Sequence, residues 1–304
     1  MIPTATALER EADGRGASAQ REHERELVAE HYEHRPEIFE LVLDQGLAYA
    51  TGIFRDASDD LETAQTRKYA FVESELAIRP EESVLDTGCG WGSNLLYLAE
   101  RTKGRFLGIT LSAKQREMAL ARARMRGVSE RVRVELTHVE DLPLEPESLD
   151  AVLFVGSIVH MHHREEIHQR VARALRPGGR LLISDCFFPS QARGDRDSAA
   201  SRYIFVEALG YCRLLRLSEE LGLIEEAGLD VRKVEDLTDS YVRTLGHWID
   251  NVRKHRERID AMSPGFSKLL QTYMTIAKLS FARRSALEYM IVARKLHPAA
   301  LAVR

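Results

Sequence analysis

Between Ser83 and Glu100 the chain carries a turn that few architectures accommodate. Ser83-Val84-Leu85-Asp86 reads as a strand, Gly88, Gly90 and Gly92 follow at alternate positions, and Asn94 to Glu100 has a helical period. Glycines at such a turn adopt positive φ and let the backbone approach a ligand closely. The helix that follows turns its free N–H groups and its positive end toward the same place. The spacing is G-x-G-x-G rather than the dinucleotide G-x-G-x-x-G, and no G-x-x-x-x-G-K-[ST] string occurs. Both of those phosphate sites are therefore disfavoured. Taken alone, the string is equally consistent with an ordinary tight strand-to-helix turn.

Short apolar runs and helical stretches continue to alternate as far as Asp185. Strands are expected at Phe106 to Thr110, Val132 to Leu136, Ala151 to Val155 and Arg180 to Ser184, with helices at Ser112 to Arg126 and Arg164 to Leu175. Such alternation argues for a parallel sheet covered on both faces, an α/β fold. Beyond it lie a helix at Ser218 to Ala227, a strand near Val231, a helical region from Leu237 to Phe281 and a closing strand at Ala286 to Ala293. The expected organisation is a loose arm over residues 1–20, helices over 21–75 that cover a site or dock on another subunit, and a main domain over 76–304. That domain carries a helical insertion at 190–217, with Tyr203 to Leu217 helical in period, and a helical cap at 237–281.

Charge and cysteine content narrow the class. Lys and Arg total 43 against 47 Asp and Glu, a net charge of −4, which does not suit a protein that coats nucleic acid. No apolar run reaches membrane-spanning length and no leader follows Met1. Cys89, Cys186 and Cys212 are odd in number and widely spaced, as in a reducing cytoplasm. His160-Met161-His162-His163 invites a metal reading, but no cysteine or carboxylate stands at zinc spacing, so no metal is expected. The basic run Arg253-Lys254-His255-Arg256 is flanked by acids and reads as a solvated helix face.

The string Asp86-Thr87-Gly88-Cys89-Gly90-Trp91-Gly92-Ser93 resembles the first motif of class I S-adenosylmethionine (SAM)-dependent methyltransferases. Arg176-Pro177-Gly178-Gly179-Arg180 resembles that superfamily's turn into strand five. The implied fold is Rossmann-like, with a seven-stranded, mostly parallel sheet. A narrower resemblance, from His31 to Lys295, is to the cyclopropane-fatty-acid-synthase branch and its relatives among prenyl C-methyltransferases, the teleocidin type included. It is carried by His31-Tyr32, Ala48-Tyr49-Ala50-Thr51-Gly52-Ile53-Phe54, Ala64-Gln65 with Lys68, Gly108-Ile109-Thr110-Leu111-Ser112 with Gln115, and Tyr241-Val242-Arg243-Thr244-Leu245 with Trp248.

That resemblance implies a SAM pocket. Gly88 and Gly90 would face the methionine part, with Tyr49 at its charged end. Thr110 and Gln115 would hold the ribose where many methyltransferases use an acid. Val139 and Glu140 would flank adenine, with His138 where an aspartate often stands, and Val155 and Gly156 would sit beside the reactive methyl. Cyclopropane synthases hold a bicarbonate ion as base. The positions of its ligands correspond here to Thr51 for a cysteine, Val159 for a glutamate, His160 and Tyr241. Valine cannot hold an anion by hydrogen bonding, so ring closure on a lipid is disfavoured.

What remains is methylation of an alkene in a small hydrophobic prenylated or terpenoid metabolite. Tyr203, Phe205 and Tyr211, with Phe187 and Phe188, are candidate faces for a carbocation, and His160 is a candidate terminal base. O-methylation with His160 as base and a non-catalytic SAM-fold module are the rival readings. A small hydrophobic substrate, no nucleic acid, no stable membrane association and a homo-oligomer are expected. Trp91→Ala is expected mainly to destabilise, and Gly88→Val to block the cofactor's approach.

Overall fold

The structure, a computed structural model, describes residues 36–189 and 212–297. In chain order its elements are α1 (Pro36–Val42), α2 (Leu61–Leu76), β1 (Ser83–Thr87), α3 (Ser93–Arg101), β2 (Arg105–Thr110), α4 (Ala113–Met125), β3 (Val132–Leu136), β4 (Leu149–Val155), α5 (Arg164–Ala174) and β5 (Leu175–Phe187). There follow α6 (Leu217–Glu226), β6 (Leu229–Asp236), α7 (Thr238–Lys254), α8 (Arg256–Met262), α9 (Phe266–Ala282) and β7 (Leu287–Lys295). The strands form one sheet in the order β3-β2-β1-β4-β5-β7-β6. All pairings are parallel except those of β7, which runs antiparallel to β5 and β6. This is the class I methyltransferase fold.

The chain leaves β1 toward β2 on one side and later returns to β4 on the other. In a parallel sheet of this kind that reversal opens a crevice at the carboxyl ends of the strands. Two apolar layers hold the sheet. Val84, Leu153, Leu182, Met290 and Val292 face α2 and α3, and Leu85, Phe154, Ile183 and Ile291 face α5 and α6. Strand five is longer than its apolar run, because Leu175 pairs with Leu149 before a register shift and Arg180 resumes the ladder.

The expected cap is three helices. It breaks at His255 and again at Ser263-Pro264-Gly265, where Gly265 takes φ +81. Helix α1 docks on this cap through Ile38, Phe39 and Val42 beside Trp248, Val252 and Phe281. Burying each of these large side chains stabilises the arrangement by roughly 1.5–3 kcal/mol. Pro36 opens α1, where its missing N–H costs nothing.

Most of the expected insertion, with Tyr203, Phe205 and Tyr211, lies outside the described residues. Its last part departs from the helical expectation. Residues 212–216 run irregularly because their backbone is drawn to the turn after β4 and the carboxyl end of β5: Phe188 N–H donates to Leu215 O at 2.8 Å and Arg213 N–H to Val159 O at 2.7 Å. No helix among the described residues is long and apolar enough to cross a membrane.

Candidate active site

The crevice at the β1–β4 reversal is a cavity enclosing about 930 Å³, part of it open to solvent. Its floor is the glycine turn. Gly88, Gly90 and Gly92 all adopt positive φ, at +79, +53 and +84. They do different work. A Cβ on Gly88 would lie 2.5 Å from Ser157 Cβ, and one on Gly92 would press on Leu96 at 3.2 Å. A Cβ on Gly90 would meet only Gln115 Nε2, at 4.0 Å, and would otherwise fill the cavity. Gly90 is thus the residue that leaves room for a ligand, whereas Gly88 is required by the packing of the turn itself. Gly92 also begins α3, and no side chain caps that helix, so its first N–H groups are left for a ligand.

The wall from β2 is polar but uncharged. Thr110 Oγ1 donates to Gln115 Oε1 at 2.6 Å, and Ser112 caps α4 by accepting the Gln115 N–H. His138 and Val139, after β3, also line the cavity. Glu140 turns away. Its carboxylate lies 3.2 Å from His163 Nδ1.

The roof is the strip from Leu43 to Phe54. Arg122 reaches from α4 to the carbonyls of Trp91, Gln45 and Gly46 at 2.7, 3.2 and 2.9 Å, Ser93 Oγ donates to Leu47 O, and Gln65 Nε2 donates to Ala50 O. These bonds lay Tyr49 across the cavity, edge-on to Phe39 and tilted against Trp248. Burial holds the Tyr49 phenol well above its usual range, so it stays protonated and can donate. Val155, Gly156, Ser157 and His160 close the side from β4. His160 ends a short 3₁₀ turn, with Cys212 Sγ 3.5 Å from its Nδ1. Burial pushes the Cys212 thiol up, so it stays protonated.

The structure therefore gathers Tyr49, Gly88, Gly90, Thr110, Gln115, Val139, Val155 and His160 around one space. Tyr241 does not line it. It stands behind Tyr49's neighbour Trp248 and packs edge-on to Phe281 at 4.7 Å.

Three buried ionisable groups were given no site role by the sequence. Asp86 and Lys68 both line the cavity and are fully buried. Burial raises the Asp86 carboxyl to about 7, against the pull of Lys68, and Asp86 Oδ2 has no hydrogen-bond partner. Burial lowers Lys68 to about 8, and its Nζ likewise has no hydrogen-bond partner, lying 4.2 Å over the Tyr69 ring. Glu288 on β7 accepts from Ser184 Oγ at 3.1 Å and from Cys186 Sγ at 3.2 Å, and burial raises it to about 8. Lys68 was detectable, since it takes a place in the apolar stripe Leu61, Ala64, Lys68, Val72, Leu76.

These residues fit S-adenosylmethionine. The cradle at Gly90 admits its backbone-hugging portion, the Thr110–Gln115 pair offers neutral hydrogen-bonding groups for a diol, and the orphaned carboxylate oxygen of Asp86 suits an ammonium. Among the described residues no group of side chains is arranged to hold a metal ion.

The sequence matches the mycolic acid cyclopropane synthetase family over residues 19–289. A probable fatty acid methyltransferase of Pseudomonas putida is 29% identical over 246 residues, which cover 79% of this chain but only 61% of that longer protein. The methyltransferase GfsG of Streptomyces halstedii is 31% identical, covering 70% of this chain and 76% of its own. Among solved structures, the cyclopropane synthase MmaA2 from Mycobacterium tuberculosis superposes with a TM-score of 0.84 at 21% identity, over 89% of this chain and 98% of that one. A geranyl diphosphate methyltransferase in complex with GPP and sinefungin gives 0.70 at 21% identity, over 90% and 99%. With the glycine cradle, the SAM-shaped donor set and a match over most of its length, the chain belongs to the mycolic acid cyclopropane synthetase family, whose cofactor is S-adenosylmethionine.

Proposed function

We propose that this protein transfers the methyl group of SAM to an alkene carbon of a small hydrophobic metabolite, a prenylated or terpenoid compound. The observation that carries the reading is the state of Thr51 and Val159. The Thr51 hydroxyl donates to Gly52 O at 3.0 Å, and Val159 offers only a buried isopropyl group while its N–H donates to Asp185 Oδ2. Neither is arranged to hold a mobile bicarbonate, so the family frame is kept and the anion chemistry of ring closure is not supported. The kinship with a geranyl diphosphate methyltransferase in fold favours a prenyl acceptor.

Bound SAM supplies an electrophilic sulfonium methyl, which an unactivated double bond can attack without prior deprotonation. The protein's part is then orientation and exclusion of water. The glycine turn and the Thr110–Gln115 pair fix the nucleoside, and the Tyr49 roof seals the methionyl end. His160 lines the wall beside Val155 and Gly156 and in this reading accepts the proton lost after methyl transfer. The test is incubation with methyl-labelled SAM and a panel of prenylated and hydroxylated small molecules, with products identified by NMR. Label on a former alkene carbon supports the reading, and label on oxygen replaces it with O-methylation.

A further inference from the structure

Lys68 stands in the cavity wall as a buried cation. It rises from α2, is fully buried, lines the cavity beside Asp86, and its Nζ has no hydrogen-bond partner. An ammonium taken out of water without a hydrogen-bonded partner is costly. What faces it is the Tyr69 ring on its own helix, Asp44 from the segment after α1, Asp86 on β1 and Glu288 on β7. The Tyr69 hydroxyl already donates to Asp44 Oδ2, whose partner oxygen Oδ1 accepts the Ala48 N–H, and Glu288 is engaged by Ser184 and Cys186. Of these three acids, only Asp86 shares with Lys68 both an unpartnered atom and a place on the cavity wall. One orphaned cation and one orphaned carboxylate at the same end of a cavity match the two charges of an α-amino acid.

We infer that Lys68 receives the α-carboxylate of the methionyl tail of SAM, next to Asp86 at the α-ammonium. The inference rests on the cavity being the SAM site. Lys68 is then a positioning residue: it fixes the tail, and through it the direction of the sulfonium, without touching the methyl acceptor. A proton linkage follows. With Lys68 lowered to about 8 by burial, an incoming carboxylate favours the charged form and raises it again, so binding above that pH takes up a proton.

The test compares S-adenosylhomocysteine with its decarboxylated analogue S-adenosyl-3-thiopropylamine, which keeps the amine and lacks only the carboxylate. Titration calorimetry is run on the wild type, Lys68→Met and Lys68→Arg. The wild type should prefer S-adenosylhomocysteine by about 10- to 100-fold. Lys68→Met should lose most of that preference while binding the analogue within about threefold of wild type, and Lys68→Arg should keep part of it. In the wild type alone, the preference should shrink as pH rises from about 7 to about 9.5, and the ligand amine, common to both, cancels in the ratio. Should Lys68→Met fail to fold, this pH series decides. Equal weakening of both ligands, or a preference insensitive to Lys68→Met or to pH, overturns the inference and leaves Lys68 a structural counter-charge. Absence of S-adenosylhomocysteine binding to the wild type would instead overturn the cofactor site itself.

Discussion

Thr110 donates its hydroxyl to Gln115 Oε1 at 2.6 Å while accepting the Ser112 N–H at 3.2 Å. The end of β2 is thereby tied to the first turn of α4, and the Gln115 amide is held in one orientation beside Gly90. Thr110→Val keeps the shape and removes the tether, leaving the amide to rotate. S-adenosylhomocysteine affinity should fall by about 3- to 10-fold, with a stability loss of about 1 kcal/mol. Calorimetric titration beside chemical denaturation checks both.

The glycine turn separates two effects that the sequence alone merges. Gly88→Val reads from the motif as a block to the cofactor, but its Cβ would strike Ser157 at 2.5 Å and so disturb the turn first. Gly90→Ala instead projects a methyl group into the cavity at a φ of +53, for about 1–2 kcal/mol of backbone strain. The expected outcome is a folded Gly90→Ala protein that no longer binds S-adenosylhomocysteine, and a Gly88→Ala protein that melts lower. A Gly90→Ala variant with unchanged affinity would remove the cradle from the site.

His160 distinguishes the two acceptor chemistries. If an alkene attacks the sulfonium methyl unaided, the base acts only after methyl transfer. His160→Ala should then lower turnover by about tenfold and change the product distribution. It should leave S-adenosylhomocysteine affinity within about twofold. Loss of turnover by about 10³-fold or more would mark a hydroxyl acceptor whose proton leaves with attack.

Trp91, 2% exposed and packed 4.6 Å from Phe39, shows why the sequence was informative about the frame. Alternating apolar runs and punctuating glycines are local signals, and they located β1 to β4 and the SAM loop within a residue or two. Distant pairings were not local. The extension of β5 to Leu175 and Phe187 depends on partners in β4 and β7, and the irregular course of residues 212–216 depends on hydrogen bonds to Val159 and Phe188. The site followed the same rule. Motif positions such as Thr110 and Gln115 were legible, whereas Lys68 and Glu288 stand about 220 residues apart in sequence, and their electrostatic coupling exists only once α2 lies across the sheet.

Arg180, where β5 resumes its ladder with β4, gives the last prediction. Its guanidinium donates to Leu76 O at 2.7 Å and to both Glu82 oxygens at 3.1 and 2.6 Å, pinning the end of α2 and the residue before β1 to β5. Burial opposes ionisation of Glu82, but the bonds from Arg180 and Arg79 outweigh it and lower the carboxyl to about 2. A carboxyl lower in the folded state than in the unfolded chain stabilises the fold above the unfolded value of about 4.3, and that contribution is lost as pH falls toward the folded value. Asp86 and Glu288, raised to about 7 and about 8, titrate above this window and make stability fall with rising pH there instead. Arg180→Met should cost about 3 kcal/mol at neutral pH by leaving Glu82 without its main partner. It should also flatten the loss of stability between about pH 4.5 and pH 2 relative to wild type. Denaturant titrations of both proteins across that range measure the difference, and parallel curves would show that Arg180 does not set the Glu82 ionisation.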